Sequence, residues 1–139
     1  MRFLWVCVVW LLAGSSAWAG QITISINNVR SDKGEIRVAL CTRAAFLHPN
    51  CPFHGTVLAR HGTVSVVFSD VPPGLYAAQA FHDEDSNHRL DRDIWGRPME
   101  GVGVSRNAQS WMGPPKFEDA AVVVGRDGAA ISFDLKYRN

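Results

Sequence analysis

The chain is predicted to fold as an all-β antiparallel sandwich of about six or seven strands. Several short segments alternate apolar and polar residues, which is the period of a strand with one buried face. Clusters of Gly, Pro, Asp and Asn separate these segments and supply turns. No segment has the apolar spacing of a convincing amphipathic helix. Together these observations favour two packed sheets.

The strands are placed by their alternation and by the turns between them. In order, they occupy residues 21–27, 35–41, 63–69, 75–81, 120–124 and 130–137. The positions expected to face inward are Ile22, Ile24, Ile26, Ile36, Val38, Leu40, Ile131, Phe133 and Leu135. Turns at 31–34 and 125–128 predict a hairpin from the first two strands and another from the last two. Residues 43–61 are expected to form a long connection, with a helical turn at 43–47.

Residues 1–19 are expected to be a secretory signal peptide and to lie outside the fold. Arg2 precedes an unbroken apolar run at 3–12, and Ala17 and Ala19 form a small-residue cleavage pattern. The run is much shorter than the roughly 20 residues that span a bilayer. We therefore expect cleavage after Ala19, a periplasmic or extracellular protein, and no transmembrane segment after cleavage.

Residues 20–139 are assigned to one β-sandwich domain, because their length suits one core and leaves little room for two. Without Arg2, 13 of the 14 basic residues remain against 13 acidic ones, so the formal charge is zero. This balance gives no electrostatic case for nucleic acid. The basic residues are scattered singly, so the sequence also offers no block of charge for a membrane surface.

Two cysteines, Cys41 and Cys51, remain after removal of the leader. In an oxidising compartment an intramolecular disulfide is the economical interpretation, and it would close a short loop. Soft-metal binding would need Cys-x-x-Cys spacing or a third soft ligand. The bridge is therefore expected to be structural.

Residues 82–93 form an acidic loop that spaces oxygen atoms as a calcium loop does. Asp83, Asp85 and Asn87 fall at positions 1, 3 and 5, and a hard cation takes six to eight oxygen ligands. Ile94 occupies position 12, where an EF-hand has glutamate, so affinity would be weak, about 10⁻⁴ to 10⁻³ M. The candidate ligands are Asp83, Asp85, Asn87, the carbonyl of Arg89, Asp91 and Glu100.

A metal-free loop is the alternative to calcium. Its carboxylates would cap turns, as Asp and Asn do in many loops. They would also pair with nearby arginines, namely Arg89, Arg92, Arg97 and Arg106.

A small metal-dependent hydrolase is a further alternative. His82, Asp83 and His88 would hold a transition metal, with Glu84 or Glu100 as general base. Adjacent strand residues point to opposite faces, which argues against a metal shared by His82 and Asp83.

Two other motifs are assigned no chemistry. Ser105 lacks the Gly-x-Ser-x-Gly setting of a nucleophile. The segment Gly101-Val-Gly103 lacks the glycines and the strand-to-helix context of a phosphate loop, and is interpreted as flexible loop backbone.

Several motifs carry a resemblance to known families. The Pro-Pro-Gly turn at 72–74, followed by a Tyr-containing strand, resembles transthyretin-like and carboxypeptidase-regulatory domains, which implies an immunoglobulin-like or transthyretin-like sandwich. Residues 82–84, 90–91, 96–100 and 113–117 carry the patterns His-Asp-Glu, Leu-Asp, Gly-x-Pro-x-Glu and Gly-Pro-Pro-x-Phe. These resemble an uncharacterised bacterial family of secreted β-sandwich proteins, a domain of unknown function. The resemblance implies a prokaryotic origin but no substrate.

Trp95 and Trp111 are candidate ligand-binding residues, because an exposed indole near the acidic loop would make the sandwich end a binding face. We therefore expect a secreted, non-catalytic protein whose end loops bind calcium or another ligand. The competing class is a metal-free structural component of the envelope or of adhesion. Its partner would be an unidentified envelope or extracellular molecule.

Overall fold

The computed structural model describes residues 19–109 and 112–138, which form eight strands. A 3₁₀ turn spans Ser105–Asn107, and a short helix, α1, spans Phe117–Ala120. The predicted signal segment lies outside the described residues, apart from Ala19. The strands are β1 Gly20–Val29, β2 Glu35–Cys41, β3 Phe53–Leu58, β4 Gly62–Val71, β5 Gly74–Asp83, β6 Val102–Val104, β7 Val122–Val124 and β8 Ala129–Asp134.

The strands form two sheets, which confirms the predicted all-β sandwich. The first sheet has three strands in the order β4-β1-β8. The second has the order β3-β2-β5-β6, and β7 pairs with the first residues of β5. Its pairings are antiparallel. One pair in the first sheet, β1 with β8, is parallel. The prediction that all strands pair antiparallel is therefore wrong at this pair.

The core lies between the sheets, and its inward-facing residues are the predicted ones. Each is at most 5% exposed, so the period-two alternation identified the buried face of every strand concerned. These residues are Ile22, Ile24, Ile26, Ile36, Val38, Leu40, Ile131, Phe133 and Leu135.

The two predicted hairpins are wrong. β1 and β2 follow each other in sequence but lie in different sheets, and so do β7 and β8. Alternation shows that a strand has one buried face, but it does not say which sheet the strand joins. The turns at 31–34 and 125–128 carry the chain from one sheet to the other instead of reversing it within a sheet.

The predicted long connection at 43–61 contains a strand. Residues 53–58 form β3, an edge strand paired with β2, whose inward positions Phe53, Gly55 and Val57 are only partly buried. At 42–48 the chain makes turns in which the Ala45 N–H binds the Thr42 carbonyl (3.1 Å). The predicted disulfide is present, with a Cys41–Cys51 S–S distance of 2.02 Å. It lies in a second apolar cluster with Phe46 and Phe117.

β5 positions the acidic segment at one end of the sandwich. The strand ends at Asp83, and the chain returns as β6 beside it, with Phe81 opposite Val102. Residues 84–100 are therefore an excursion between two neighbouring strands. The glycines that follow are not flexible backbone, because a Cβ at Gly101 would collide with the Tyr137 ring.

None of the helices described is long and apolar enough to cross a membrane.

Candidate functional site

Asp83 organises the acidic loop from a fully buried position. Its Oδ1 accepts the backbone N–H of Asn87 (3.1 Å), and its Oδ2 accepts that of His88 (2.8 Å). His88 has a φ of 64°, a left-handed backbone conformation that glycine adopts most readily. Asp83 therefore folds the loop back over the end of β5.

The turn before β2 packs against the end of β5, where Asp83 lies. Gly34 has a φ of +68° and lies so close to the Asp83 carbonyl that a Cβ would collide with it. Only glycine combines this conformation with this contact. The neighbouring carbonyl of Lys33 accepts a hydrogen bond from Nε2 of His82 (2.6 Å). The first crossing between sheets thus holds the last residues of β5 in place.

Carboxylates converge where the loop meets β6. One oxygen from each of Asp83, Asp85 and Glu100 lies within 4.8 Å of the others. Glu100 is only 8% exposed, and its Oε2 accepts the N–H of Asp91 (3.3 Å). The Asp91 carboxylate in turn accepts Nδ2 of Asn87 (2.8 and 3.0 Å). We call Asp83, Asp85, Asp91 and Glu100 the acidic pocket.

Crowding in the acidic pocket changes proton affinity. Burial raises the pKa of Glu100 to about 7, and the charges of Asp91, Asp83 and Asp85 push in the same direction. Removal from water also raises the pKa of Asp85, with further contributions from Asp83 and Asp91. Near neutral pH, Glu100 is therefore partly protonated, which lowers the negative charge of the pocket.

The predicted arginine bracing is confirmed at one loop carboxylate, Asp93, which pairs with Arg97. Among the described residues, no ion pair reaches Asp85, Asp91 or Glu100. Arg37 of β2 approaches the pocket, with its Nε 3.5 Å from Asp83. Of the predicted braces, Arg97 pairs with Asp93, and Arg92 and Arg106 donate to the carbonyls of Gly96 and Glu118.

One predicted ligand, Asn87, has other partners in the loop. Oδ1 of Asn87 accepts the backbone N–H of Arg89 (3.0 Å), while the Asn87 amide nitrogen binds Asp91. The roles of Asn87 and of the Arg89 carbonyl as ligands stay predictions. Trp95 is 75% exposed on the segment that follows the pocket. Trp111 lies outside the described residues.

The two histidines of the hydrolase hypothesis do not converge. His82 is fully buried; its Nε2 donates to Lys33, and its Nδ1 accepts the hydroxyl of Tyr137 (2.9 Å). Nδ1 of His88 instead faces Oε1 of Glu35 (3.1 Å). Both nitrogens of His82 are therefore occupied, and the described residues offer no site that uses the two rings together.

Sequence reasoning missed the contribution of β2 to this end of the sandwich. Glu35 lies opposite Asp83 in the sheet, and Arg37 pairs with Glu35 (2.9 Å) while reaching Asp83. The two carboxylates close to His88 thus already share one arginine, which offsets one of their two negative charges. The alternation of β2 placed Glu35 and Arg37 on the outer face, but only the register shows that Asp83 is their neighbour.

Ser105 is also explained by its contacts. It is fully buried; its Oγ accepts the N–H of Ala78 (3.0 Å) and donates to the carbonyl of Ala120. The hydroxyl therefore links the end of β6 to β5 and α1.

Comparison with known proteins identifies the family. A family model described as "Uncharacterized protein conserved in bacteria (DUF2141)" matches residues 24–132, which extend from β1 into β8 and include the acidic pocket. No curated protein and no solved structure matches the chain significantly. The resemblance to transthyretin-like domains therefore stays a prediction, whereas the predicted bacterial family of unknown function is confirmed. The chain belongs to the DUF2141 family of uncharacterised proteins conserved in bacteria.

Proposed function

We propose that the protein is a secreted, periplasmic, non-catalytic β-sandwich that binds calcium, or a similar hard cation, in the acidic pocket. The observation that carries the proposal is the convergence of Asp83, Asp85 and the buried Glu100 without an ion pair on Asp85 or Glu100 among the described residues. A bound cation would supply the missing positive charge.

The spacing of the oxygen atoms suits calcium. Calcium binds oxygen at roughly 2.3–2.6 Å, so ligands on opposite sides of the ion lie up to about 5 Å apart. The three carboxylate oxygens lie within 4.8 Å of one another. Asp91 would complete the protein ligands, with water in the remaining positions.

Export is supported by two features of the chain. The leader has the charge, apolar run and small residues of a signal peptide, and Cys41–Cys51 is a bond that persists in oxidising compartments. Mass spectrometry of protein exported by a bacterial host should find Gly20 at the amino terminus. An intact leader would contradict export.

Calcium titration of the exported, chelator-treated protein tests the cation site. With a dissociation constant near 10⁻³ M, calcium at about 10 mM stabilises the folded state by about 1.4 kcal/mol, which raises the thermal midpoint by several degrees. Asp85→Asn should abolish the shift. Asp83→Ala is a poorer variant, because Asp83 also closes the loop. The exposed Asp127, in the turn between β7 and β8, provides the control variant Asp127→Asn, which should shift as the unmodified protein does. No shift, or an equal shift in Asp85→Asn, would falsify the site.

A further inference from the structure

Residues 91–99 form a hairpin that projects from the acidic pocket and carries two large apolar side chains at its tip. Arg92 bridges to Pro98, and the Asp93 carbonyl accepts the N–H of Gly96 (2.9 Å) to close the turn. Ile94 is 92% exposed and Trp95 is 75% exposed. The turn is too short for these two side chains to fold back onto the sandwich.

The tip is held rigidly by one carboxylate. Asp93 accepts the backbone N–H groups of Trp95 and Arg97 (2.9 Å each), the Nε of Arg97 (2.9 Å) and the Nη1 of Arg138 (2.7 Å). These bonds lower the pKa of Asp93, with the Arg97 N–H as the largest cause. Ile94 and Trp95 are therefore presented to solvent by a fixed scaffold, and a partner need not order the turn.

The fold also gathers positive charge around this tip. Arg92 and Arg97 flank it in sequence, and Arg138 reaches it from the carboxyl-terminal end of the chain. All three side chains are exposed, and Asp93 is the acidic partner of Arg97 and Arg138. With Asp91 at the base of the hairpin, residues 91–99 and Arg138 carry a net charge of +1, three positive against two negative. The sequence scatters the arginines singly, so only the fold shows this patch.

We propose that this tip docks on the surface of an anionic phospholipid bilayer, with Ile94 and Trp95 in the interfacial layer and the arginines at the phosphates. Tryptophan is favoured at the membrane interface because it combines a large apolar ring with an N–H donor. Arginine near an anionic surface adds electrostatic attraction. A carbohydrate-binding surface would offer flat aromatic rings on which sugars stack. Ile94 adds apolar surface without such a ring, which favours lipid over carbohydrate. One short tip gives weak, reversible binding.

Vesicle co-sedimentation tests this proposal with the exported protein and a chelator present, so that it is independent of the cation site. Vesicles of phosphatidylglycerol and phosphatidylethanolamine should retain the protein at low salt, and vesicles of phosphatidylcholine should not. Ile94→Ser and Trp95→Ala should each lower the partition coefficient about tenfold. In a Trp111→Phe background, Trp95 is the single tryptophan left after removal of the leader, and its emission should shift to the blue on binding.

A matched control separates docking from general apolar exposure. Val123 is 76% exposed on β7, which pairs with the first residues of β5, whereas Asp83 is the last residue of that strand. Val123→Ser should therefore bind vesicles as the unmodified protein does. Equal loss in Val123→Ser, or absence of binding to the anionic vesicles, overturns the proposal. Failure to bind vesicles together with dimers that Trp95→Ala abolishes would assign the tip to a second copy of the chain.

Discussion

Glu100→Gln should remove a specific part of the pH dependence of stability. Glu100 has a pKa of about 7 in the folded protein against its usual 4.5. Between these values the folded state retains a proton that the unfolded state has lost. The stabilising effect is therefore fully present below about pH 4.5, declines as pH rises, and is lost above about pH 7.

The size of the effect follows from the shift. A difference from 4.5 to about 7 corresponds to about 3 kcal/mol in the free energy of unfolding. The slope reaches about 1.4 kcal/mol per pH unit between pH 5 and 7. Glutamine cannot titrate, so the variant should lack this slope and should be more stable than the unmodified protein at pH 8 in the absence of metal.

Urea denaturation at pH 5, 6, 7 and 8, with a chelator present, measures the effect. Glu118 provides a matched control, because it is an exposed glutamate whose ion pair with Arg43 lies at the surface. Glu118→Gln should change stability by less than about 1 kcal/mol and keep the slope. If Glu100→Gln keeps the slope of the unmodified protein, the proton does not reside on Glu100 and the description of the pocket is wrong.

Three further results are expected. Calcium should bind about tenfold more weakly at pH 6 than at pH 8, because the proton on Glu100 must leave; calorimetry at the two pH values checks this, and a pH-independent affinity would contradict it. Replacing both Cys41 and Cys51 by Ser should cost about 3 kcal/mol in urea denaturation, since the bridge closes a short loop, whereas an unchanged midpoint would show that the bond adds nothing. Ser105→Ala should cost about 1–3 kcal/mol, because it leaves the buried N–H of Ala78 without its partner; a loss below 0.5 kcal/mol, roughly the neutral range for surface changes, would mean that the N–H finds another acceptor.

Most strands were predictable because the alternation of apolar and polar residues is a local property of the sequence. Alternation identified the inward faces of β1, β2 and β8 without knowledge of any neighbour. Sheet membership is a long-range property, so the sequence could not show that β1 pairs in parallel with β8. β3 was missed because this edge strand only partly buries its inward positions and a glycine, Gly55, occupies one of them.

The candidate site divides in the same way. The spacing of Asp83 and Asp85 along the loop was visible in the sequence, and Glu100 was among the predicted ligands; the structure brings these three together. The position of Arg37 was not visible, because it depends on the register between β2 and β5. Nor could the sequence show that both ring nitrogens of His82 are hydrogen-bonded, to Lys33 and Tyr137, since these partners come from distant segments.

Amide NMR spectra of the exported protein during calcium titration test the central claim most directly, because they both detect binding and locate it. We predict saturable shifts with a dissociation constant of about 10⁻⁴ to 10⁻³ M, confined to residues 83–91 and 99–101 and absent from Asp85→Asn. No saturable shift up to roughly 10 mM calcium, or shifts centred elsewhere in the sandwich, would contradict a cation site in the acidic pocket.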